Sequence, residues 1–369
     1  MKNDYEFWNN YLINLKKELL NLCNIKKEIY VDLHIHSNYS ADGKQSINEI
    51  IESTKNKKFD VIAITDHDTV DAYEEIFELV KNGFTKPLII PGIEFTTDNR
   101  EYGNQCHILQ LFINPKDKIL VKDVKKNHNA MFNRSKIQFQ RLKENIAIQE
   151  VLKNNKLKIS YKEYVRYIIE NDMVPEYDTL CNYLMNKFKT KNITTFDILN
   201  LLEKYNRLDC YKDRKEYKLK RFNKLKEKYL NEEKNYFNTR FLLSMLAVRE
   251  VDDDWWDKPS SGSLSVNSYG QLKIEEINTK FKTFFAHPTE SKLNVVEKII
   301  KQKTSIIGLE KNIRNKYENI SNFNNLKIKN NLFVINGSDS HDNSLTFYED
   351  MSFYKLDSNE LKNIIDDGG

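Results

Sequence analysis

Short apolar runs alternate with longer amphipathic segments along most of the chain, and this rhythm constrains the fold more than any other feature. Seven runs have the length and composition of buried strands. They are 28–35, 60–65, 87–95, 106–113, 281–286, 304–309 and 331–336. Segments with helical spacing lie between them, such as 46–57, where Ser46 and Glu49 have the spacing of a capping box, and 69–82, where Thr69 could be the cap. The repeated strand–helix order predicts an α/β barrel or sheet.

Composition and the spacing of apolar residues divide the chain into four segments. Residues 1–27 carry apolar side chains three and four positions apart, which predicts an amphipathic helix that caps the main fold or docks a partner. The strand–helix rhythm occupies 28–150 and 281–369. Between them, 151–280 is rich in Lys, Tyr and Asn and mostly helical in pattern. We therefore predict a barrel in two parts with a long helical insertion.

Composition excludes several classes of function. Lys and Arg number 58 against 54 Asp and Glu, a formal net charge of +4, which does not suggest a generally basic nucleic-acid binder. The four cysteines form no CxxC pair, and the glycines form no Walker or dinucleotide-binding loop. We see no signal peptide and no apolar stretch of membrane-spanning length, so we expect a cytoplasmic protein without a membrane partner.

One segment departs from this charge balance. Residues 204–229, called the basic block below, hold eleven Lys and Arg against four Asp and Glu, a net charge of +7. Such a block could bind the backbone of DNA or RNA, with Trp255 and Trp256 stacking on bases. A solvated, Lys-rich helix is the alternative interpretation.

Six of the seven histidines lie in, at or just beyond the end of a predicted strand. They are His34, His36, His67, His107, His287 and His341. Strand ends meet at one rim in parallel α/β folds, and alternate side chains of a strand share a face, so His34 and His36 can reach one ion. Each residue alone has an ordinary structural explanation, but their coincidence with nearby carboxylates predicts a metal site for Zn, Mn or Fe. His128 is the exception, and we expect a solvated helix residue there.

Six strings, taken in order, resemble the PHP (polymerase and histidinol phosphatase) domain family. They are VDLHIHSNYSADG, IAITDHDTV, PGIEFTT, CHILQLF, FFAHP and NGSDSH. Within the family the sequence is most similar to small phosphoesterases that act on nucleotides and oligonucleotides. The resemblance covers 30–150 and 281–345, and it implies a distorted (β/α)7 barrel that holds three divalent metal ions.

The resemblance also implies the ligands of these ions. The three groups are His34, His36, Glu94 and Asp339; Glu94, His107 and His287; and Asp42, His67 and His341. Asp66 and Asp68 flank His67 in the sequence and would orient it from the second shell of the metal site.

A phosphoesterase mechanism follows from such a cluster. Metal ions activate a water molecule for in-line attack on phosphorus, with Glu94 between two ions. Asp339 or His341 would manage the proton. Arg134 and Arg141 resemble residues of an Arg-bearing helix that follows the fourth strand in the small phosphoesterases, and they could clamp a substrate phosphate. A solvated helix face would explain either arginine equally well.

The substrate stays open at this point, because the insertion lacks the Gly-Arg-Pro-His-like segment of the small phosphoesterases and is longer. We expect a metal-dependent phosphoesterase acting on nucleotides or oligonucleotides. The alternative is a nuclease module for DNA or RNA that works with a protein partner such as an ATPase. A non-catalytic scaffold is disfavoured by the intact ligand set, and an amidohydrolase by the closing Asp-x-His and the absence of a bridging lysine motif.

Overall fold

The computed structural model describes most of the chain outside 192–270. The described residues are 2–40, 42–97, 106–144, 146–171, 173, 175, 177–191, 271–278, 280–288, 290–302, 306–312, 320–342 and 350–366. They belong to two compact units, residues 1–129 with 270–369, and residues 130–269. Most of the predicted insertion, including the basic block and both tryptophans after it, lies outside the described residues. The division of the chain into four segments, which is based on composition and residue spacing, therefore stays a prediction.

The first unit contains one sheet of eight strands. These are β1 (Glu28–Ile35), β2 (Val61–Ile64), β3 (Leu88–Thr97), β4 (Cys106–Leu111), β5 (Lys282–Phe285), β6 (Ile306–Asn312), β7 (Phe333–Gly337) and β8 (Lys355–Asp357). Their order is β7-β6-β5-β4-β3-β2-β1-β8, so all seven predicted strands are present and follow the sequence around the sheet. The eighth, β8, pairs antiparallel with β1.

One strand of the barrel, β4, runs against its two neighbours. The pairs β1–β2, β2–β3, β5–β6 and β6–β7 are parallel, whereas β4 runs antiparallel to both β3 and β5. The start of β4 consequently lies at the edge where its neighbours end, and His107 is paired there with Thr96. The predicted rim is correct, but His107 reaches it from the beginning of a strand.

Backbone hydrogen bonds join β1 to the segment after β7 and nearly close the sheet. Asp339 N–H donates to the His34 carbonyl at 2.8 Å, and His36 N–H donates to the Ser340 carbonyl at 2.9 Å. The buried Asp32 carboxylate accepts from Ser338 N–H at 2.9 Å across the same seam. The predicted distorted (β/α)7 barrel is thus confirmed, with β8 as an added edge strand.

Ten α-helices are described. They are α1 (Lys2–Ile25), α2 (Ile47–Asn56), α3 (Ala72–Lys81), α4 (Lys118–Glu144), α5 (Ile146–Asn154), α6 (Tyr161–Glu170), α7 (Tyr177–Lys189), α8 (Glu290–Gln302), α9 (Ile320–Asn330) and α10 (Ser358–Asp366). The capping box is confirmed, since Ser46 Oγ accepts from Glu49 N–H and Glu49 accepts from Ser46 N–H. Thr69 as a cap was wrong: α3 begins at Ala72 after Asp71. Thr69 lies three residues before the helix, and its Oγ1 accepts from Asp71 N–H. None of the described helices is long and apolar enough to cross a membrane.

Helix α1 belongs to the core of the first unit. Trp8 and Leu19 are fully buried, and the Tyr11 hydroxyl donates to the Ile89 carbonyl at the start of β3. The predicted helix is therefore confirmed, and one of its faces packs on the barrel. Burying an indole ring is worth several kcal/mol, so α1 is an integral part of this unit.

In the second unit the described residues are helical. The C-terminal part of α4 is followed by α5, α6 and α7, and an aromatic cluster is formed by Phe139, Tyr164 and Tyr183. All three rings are buried.

Candidate metal centre

Glu94 lies at the centre of the predicted site. It follows the apolar run of β3, and its carboxylate is fully buried. Five imidazoles surround its two oxygens. Oε2 lies 3.0 Å from His34 Nε2, 3.1 Å from His36 Nε2 and 3.3 Å from His67 Nδ1, and Oε1 lies 3.1 Å from both His107 Nδ1 and His287 Nε2. Residues from β1, β4 and the ends of β2, β3 and β5 thus meet at one carboxylate.

The first predicted group is compact in the structure. His34, His36, Glu94 and Asp339 each offer one ligand atom, and these atoms lie within 4.8 Å of one another. Asp339 Oδ1 lies 3.2 Å from His36 Nε2 and 3.5 Å from His34 Nε2. The two Nε2 atoms are themselves 3.0 Å apart. The alternation of β1 brings both imidazoles to the inner face, as the sequence predicted.

The other two groups share members more than the resemblance implies. Asp42 Oδ2 lies 3.0 Å from His341 Nε2 and 3.6 Å from His67 Nε2, and His36 completes this set. A third compact set consists of His67, Glu94 and His107. His287 reaches the same Glu94 oxygen as His107 does. The structure therefore brings all nine predicted ligands together, while the division of ligands among ions stays a prediction.

The outer ring nitrogens of three histidines face hydrogen-bond acceptors. His34 Nδ1 lies 3.0 Å from Glu310 Oε1, and His341 Nδ1 lies 2.7 Å from the Asp339 carbonyl. His36 Nδ1 lies 3.3 Å from Ser40 Oγ, whose own proton goes to Asp42. A proton on each Nδ1 satisfies these contacts and leaves the Nε2 lone pair facing inward.

This donor set fits divalent cations. Imidazole lone pairs and carboxylate oxygens about 3 Å apart repel one another unless positive charge lies between them. Imidazole and carboxylate together are the ligands of Zn, Mn and Fe sites. The site therefore has the chemistry that a metal cluster requires.

The pKa values show the same demand for positive charge. Burial opposes the charged form of His36, yet hydrogen bonds to Asp339 and Glu94 raise its pKa to about 10. Burial also opposes the ionised form of Glu94, but the surrounding imidazoles, His67 first, hold its pKa well below the ordinary value. For His67, burial lowers the pKa to about 3. A proton or a metal ion at Nε2 of His36 would meet this demand.

Asp66 and Asp68 hold the backbone on either side of His67. Asp66 accepts from Ser37 N–H and from the Ser37 hydroxyl, both at 2.6 Å. Asp68 Oδ1 accepts from Thr96 N–H at 3.0 Å and from Asn127 Nδ2 at 2.6 Å. Burial raises the pKa of each carboxyl to about 6. Their influence on His67 therefore passes through the main chain, because its ring faces Glu94 and Asp42.

Left-handed backbone conformations occur at three residues around the site. The φ angles are 54° at Asp68, 28° at His287 and 54° at Asp339. Non-glycine residues adopt such angles at a cost of about 1–3 kcal/mol, which the surrounding structure must offset. Their hydrogen bonds to neighbouring strands provide that compensation.

Sequence reasoning missed two residues that contact predicted ligands. Ser40 contacts His36, Asp42 and the backbone of His67. Glu310 ends an apolar strand in a Gly-Leu-Glu string, as Glu94 does in Gly-Ile-Glu, and this likeness was the available signal. The string around Ser40 offers no comparable signal.

The remaining predicted residues lie apart or differ from expectation. Arg134 is a half-buried residue of the second unit, and the Arg141 side chain lies outside the described residues, so phosphate binding by either stays a prediction. His128 is half-buried rather than solvated, because α4 turns it toward the backbone of Asp68, and burial lowers its pKa.

The model of the PHP domain matches residues 32–229, more than half of the chain. The chain belongs to the PHP family. As a PHP protein it is a metal-dependent hydrolase, which agrees with the donor set around Glu94. No curated protein matches the sequence significantly.

Solved structures share the fold at low sequence identity. One, from Chromobacterium violaceum, is described as an amidohydrolase; it is 14% identical, with a TM-score of 0.51, over 90% of this chain and 100% of the other. Another, from Bifidobacterium adolescentis, is described as an inferred metal-dependent phosphoesterase. It is 16% identical, with a TM-score of 0.46, over 85% of this chain and 87% of the other. The likeness to the Chromobacterium violaceum structure shows a common fold and assigns no substrate.

Proposed function

We propose that this PHP protein is a phosphoesterase that hydrolyses phosphate esters of nucleotides or oligonucleotides with three bound divalent ions, Zn, Mn or Fe. The arrangement of five imidazoles around the buried Glu94 carboxylate carries the proposal. The three compact donor sets support a cluster of ions rather than a single one. Bound ions would supply Lewis-acid activation of water and would neutralise charge on the phosphoryl group.

Asp339 and His341 belong to the part of the cluster that is open to solvent. His34, His36 and Glu94 are fully buried, whereas the side chains of Asp339 and His341 are 14% and 19% exposed. Asp42, His107 and His287 share this open side, with side chains 39%, 26% and 22% exposed. Asp339, a carboxylate with a second oxygen besides the one that would bind an ion, would accept the proton of the attacking water. His341 is the alternative for this role only where its Nε2 does not bind an ion.

The decisive experiment combines elemental analysis of the purified protein with a substrate panel. The panel contains mononucleotides, nucleoside bisphosphates, 5′-labelled oligonucleotides and, for the amidohydrolase alternative, amides. Release of phosphate or nucleotide with Mn²⁺ or Zn²⁺ present supports the proposal. Protein that retains metal but hydrolyses no phosphoester contradicts it, and amide hydrolysis alone would favour the amidohydrolase.

The basic block favours a second candidate, a nuclease module for DNA or RNA that works with a protein partner. Its charge of +7 would bind a polynucleotide backbone more strongly than a mononucleotide. Comparing long strands with mononucleotides as substrates separates the two candidates. The same cluster would perform the chemistry in both.

A further inference from the structure

We infer that Glu310 is a positioning residue that holds His34 with its proton on Nδ1 and fixes the backbone at His287. This inference rests on the proposed metal-dependent function. It concerns a residue at the end of β6 that the ligand set does not include.

The Glu310 carboxylate is fully buried. Its Oε1 lies 3.0 Å from His34 Nδ1 and accepts from Asn312 Nδ2 at 3.1 Å. Its Oε2 accepts from His287 N–H at 2.6 Å. Burying a carboxylate is costly unless both oxygens have partners. Here each partner is either a predicted ligand or a neighbour that braces the carboxylate.

The Glu310 carboxylate influences which ring nitrogen of His34 carries the proton. An ionised carboxylate can only accept hydrogen bonds, so the 3.0 Å contact between Glu310 Oε1 and His34 Nδ1 favours the proton of His34 on Nδ1. The lone pair of Nε2 then points toward Glu94 and Asp339, 3.0 and 3.5 Å away. A carboxylate behind a histidine ligand also raises its basicity and orients its ring.

Glu310 also holds the backbone of His287. Its backbone has a φ of 28° and its ring contacts Glu94. The hydrogen bond from its N–H to Glu310 holds this unfavourable conformation. One carboxylate therefore aligns two imidazoles that contact opposite oxygens of Glu94.

Gly337 lies close to both Glu310 and His34. A Cβ atom there would lie 2.4 Å from Glu310 Oε1 and 2.5 Å from His34 Cβ. Real Cβ atoms do not approach other atoms so closely. The absence of a side chain at position 337 is what allows the carboxylate to reach the imidazole.

The test uses Glu310→Gln in the full chain, which keeps the size of the side chain but replaces one oxygen with NH₂. Whichever way the amide turns, its NH₂ faces a donor, either His34 Nδ1–H or His287 N–H. We expect Mn²⁺ and Zn²⁺ affinity, measured by competition with a chelator, to fall about 10–100-fold. Asp117→Asn is the matched control, because Asp117 is a buried carboxylate of the same unit that bonds to Lys280 and Ile119.

A second readout distinguishes positioning from a merely structural role. In Zn²⁺-loaded protein labelled with ¹⁵N-histidine, the carboxylate-bonded Nδ1 proton of His34 should resonate downfield in the wild type. Glu310→Gln should move this resonance upfield or remove it, and Asp117→Asn should leave it in place. Asn312→Ala, which removes only the brace on Glu310, should give a smaller change in the same direction.

Wild-type metal affinity and an unchanged His34 resonance in Glu310→Gln would overturn the inference. If that variant does not fold, Asn312→Ala decides, and wild-type values in it would equally overturn the inference. Neither readout uses a substrate. Failure of the phosphoester panel together with weakened metal binding in Glu310→Gln would therefore contradict the proposed function alone.

Discussion

The hydroxyl of Ser40 donates to Asp42 Oδ1 at 2.8 Å. Ser40 Oγ also accepts from His67 N–H at 3.2 Å and lies 3.3 Å from His36 Nδ1, so one hydroxyl joins three predicted ligands. We expect Ser40→Ala to lower metal affinity about 10–100-fold, measured by chelator competition. Ser135→Ala, at a buried serine of the second unit, is the control. Equal metal affinities in the two variants would contradict this role for Ser40.

Loss of a central ligand should have a larger effect. His34→Ala removes one imidazole, and Glu94→Ala removes the carboxylate that five imidazoles share. We expect either change to lower metal content and to reduce kcat at least about 100-fold on whichever phosphoester the wild type hydrolyses. Glu49→Ala is the control, since Glu49 belongs to the capping box of α2. Full activity in His34→Ala or Glu94→Ala would overturn the site assignment.

The Ser37–Asp66 pair should contribute to stability as well as to the site. Asp66→Ala leaves the buried Ser37 N–H without its acceptor, whereas Ser37→Ala keeps that bond and removes the two bonds of the hydroxyl, to Asp66 and from Tyr39 N–H. We expect the free energy of unfolding to fall by about 1–3 kcal/mol in the first variant and by about 0.5–1.5 kcal/mol in the second. Urea denaturation of the metal-free protein measures both. A greater loss in Ser37→Ala than in Asp66→Ala would argue against this account.

The barrel could be predicted because its seven main strands are apolar runs separated by helical patterns. Strand β8 could not, because Lys355–Asp357 has three residues of which only Leu356 is buried. The reversed direction of β4 was equally hidden, since an apolar run has the same composition in either orientation. Direction depends on how β3 and β5 pair with it.

The residues that face Glu94 could be predicted from the sequence, whereas Glu310 and Ser40, which contact those residues, could not. The histidines and carboxylates that face Glu94 stand at strand ends, where local sequence marks them. Glu310 acts on His34 from another strand, and this contact exists only once the sheet nearly closes. Ser40 contacts the nearby His36 and Asp42, and it reaches His67 only through the fold. Glu310 approaches His34 across 276 positions of sequence because β1 and β7 meet. Proximity of that kind has no local pattern.

The basic block gives a prediction about substrate length. Reversing charge with Lys218→Glu, Lys220→Glu and Arg221→Glu should lower hydrolysis of long strands and weaken its salt dependence, with mononucleotide hydrolysis unchanged. Charge reversal at the exposed Lys55 and Lys86 is the matched control. If the triple variant treats long strands and mononucleotides as the wild type does, the nuclease candidate fails and the block is a solvated surface.

His128 gives a prediction about pH. Burial lowers its pKa in the folded protein, and the charge of Asp71 opposes this only in part. As pH falls below about 6.5, the unfolded chain therefore takes up the proton first, and the folded state loses stability. Above that pH His128 is neutral in both states and has no effect.

The change that isolates this effect is His128→Asn, which removes the titrating group. We expect the stability difference between wild type and variant to be constant above about pH 7. Below about pH 6.5 it should shift against the wild type, by at most about 1.4 kcal/mol per pH unit. Urea denaturation of both metal-free proteins at pH 7.5, 6.5 and 5.5 measures it, and the subtraction cancels the titration of the clustered histidines that both share. A difference that stays constant down to pH 5.5 would show that His128 titrates alike in the folded and unfolded chains.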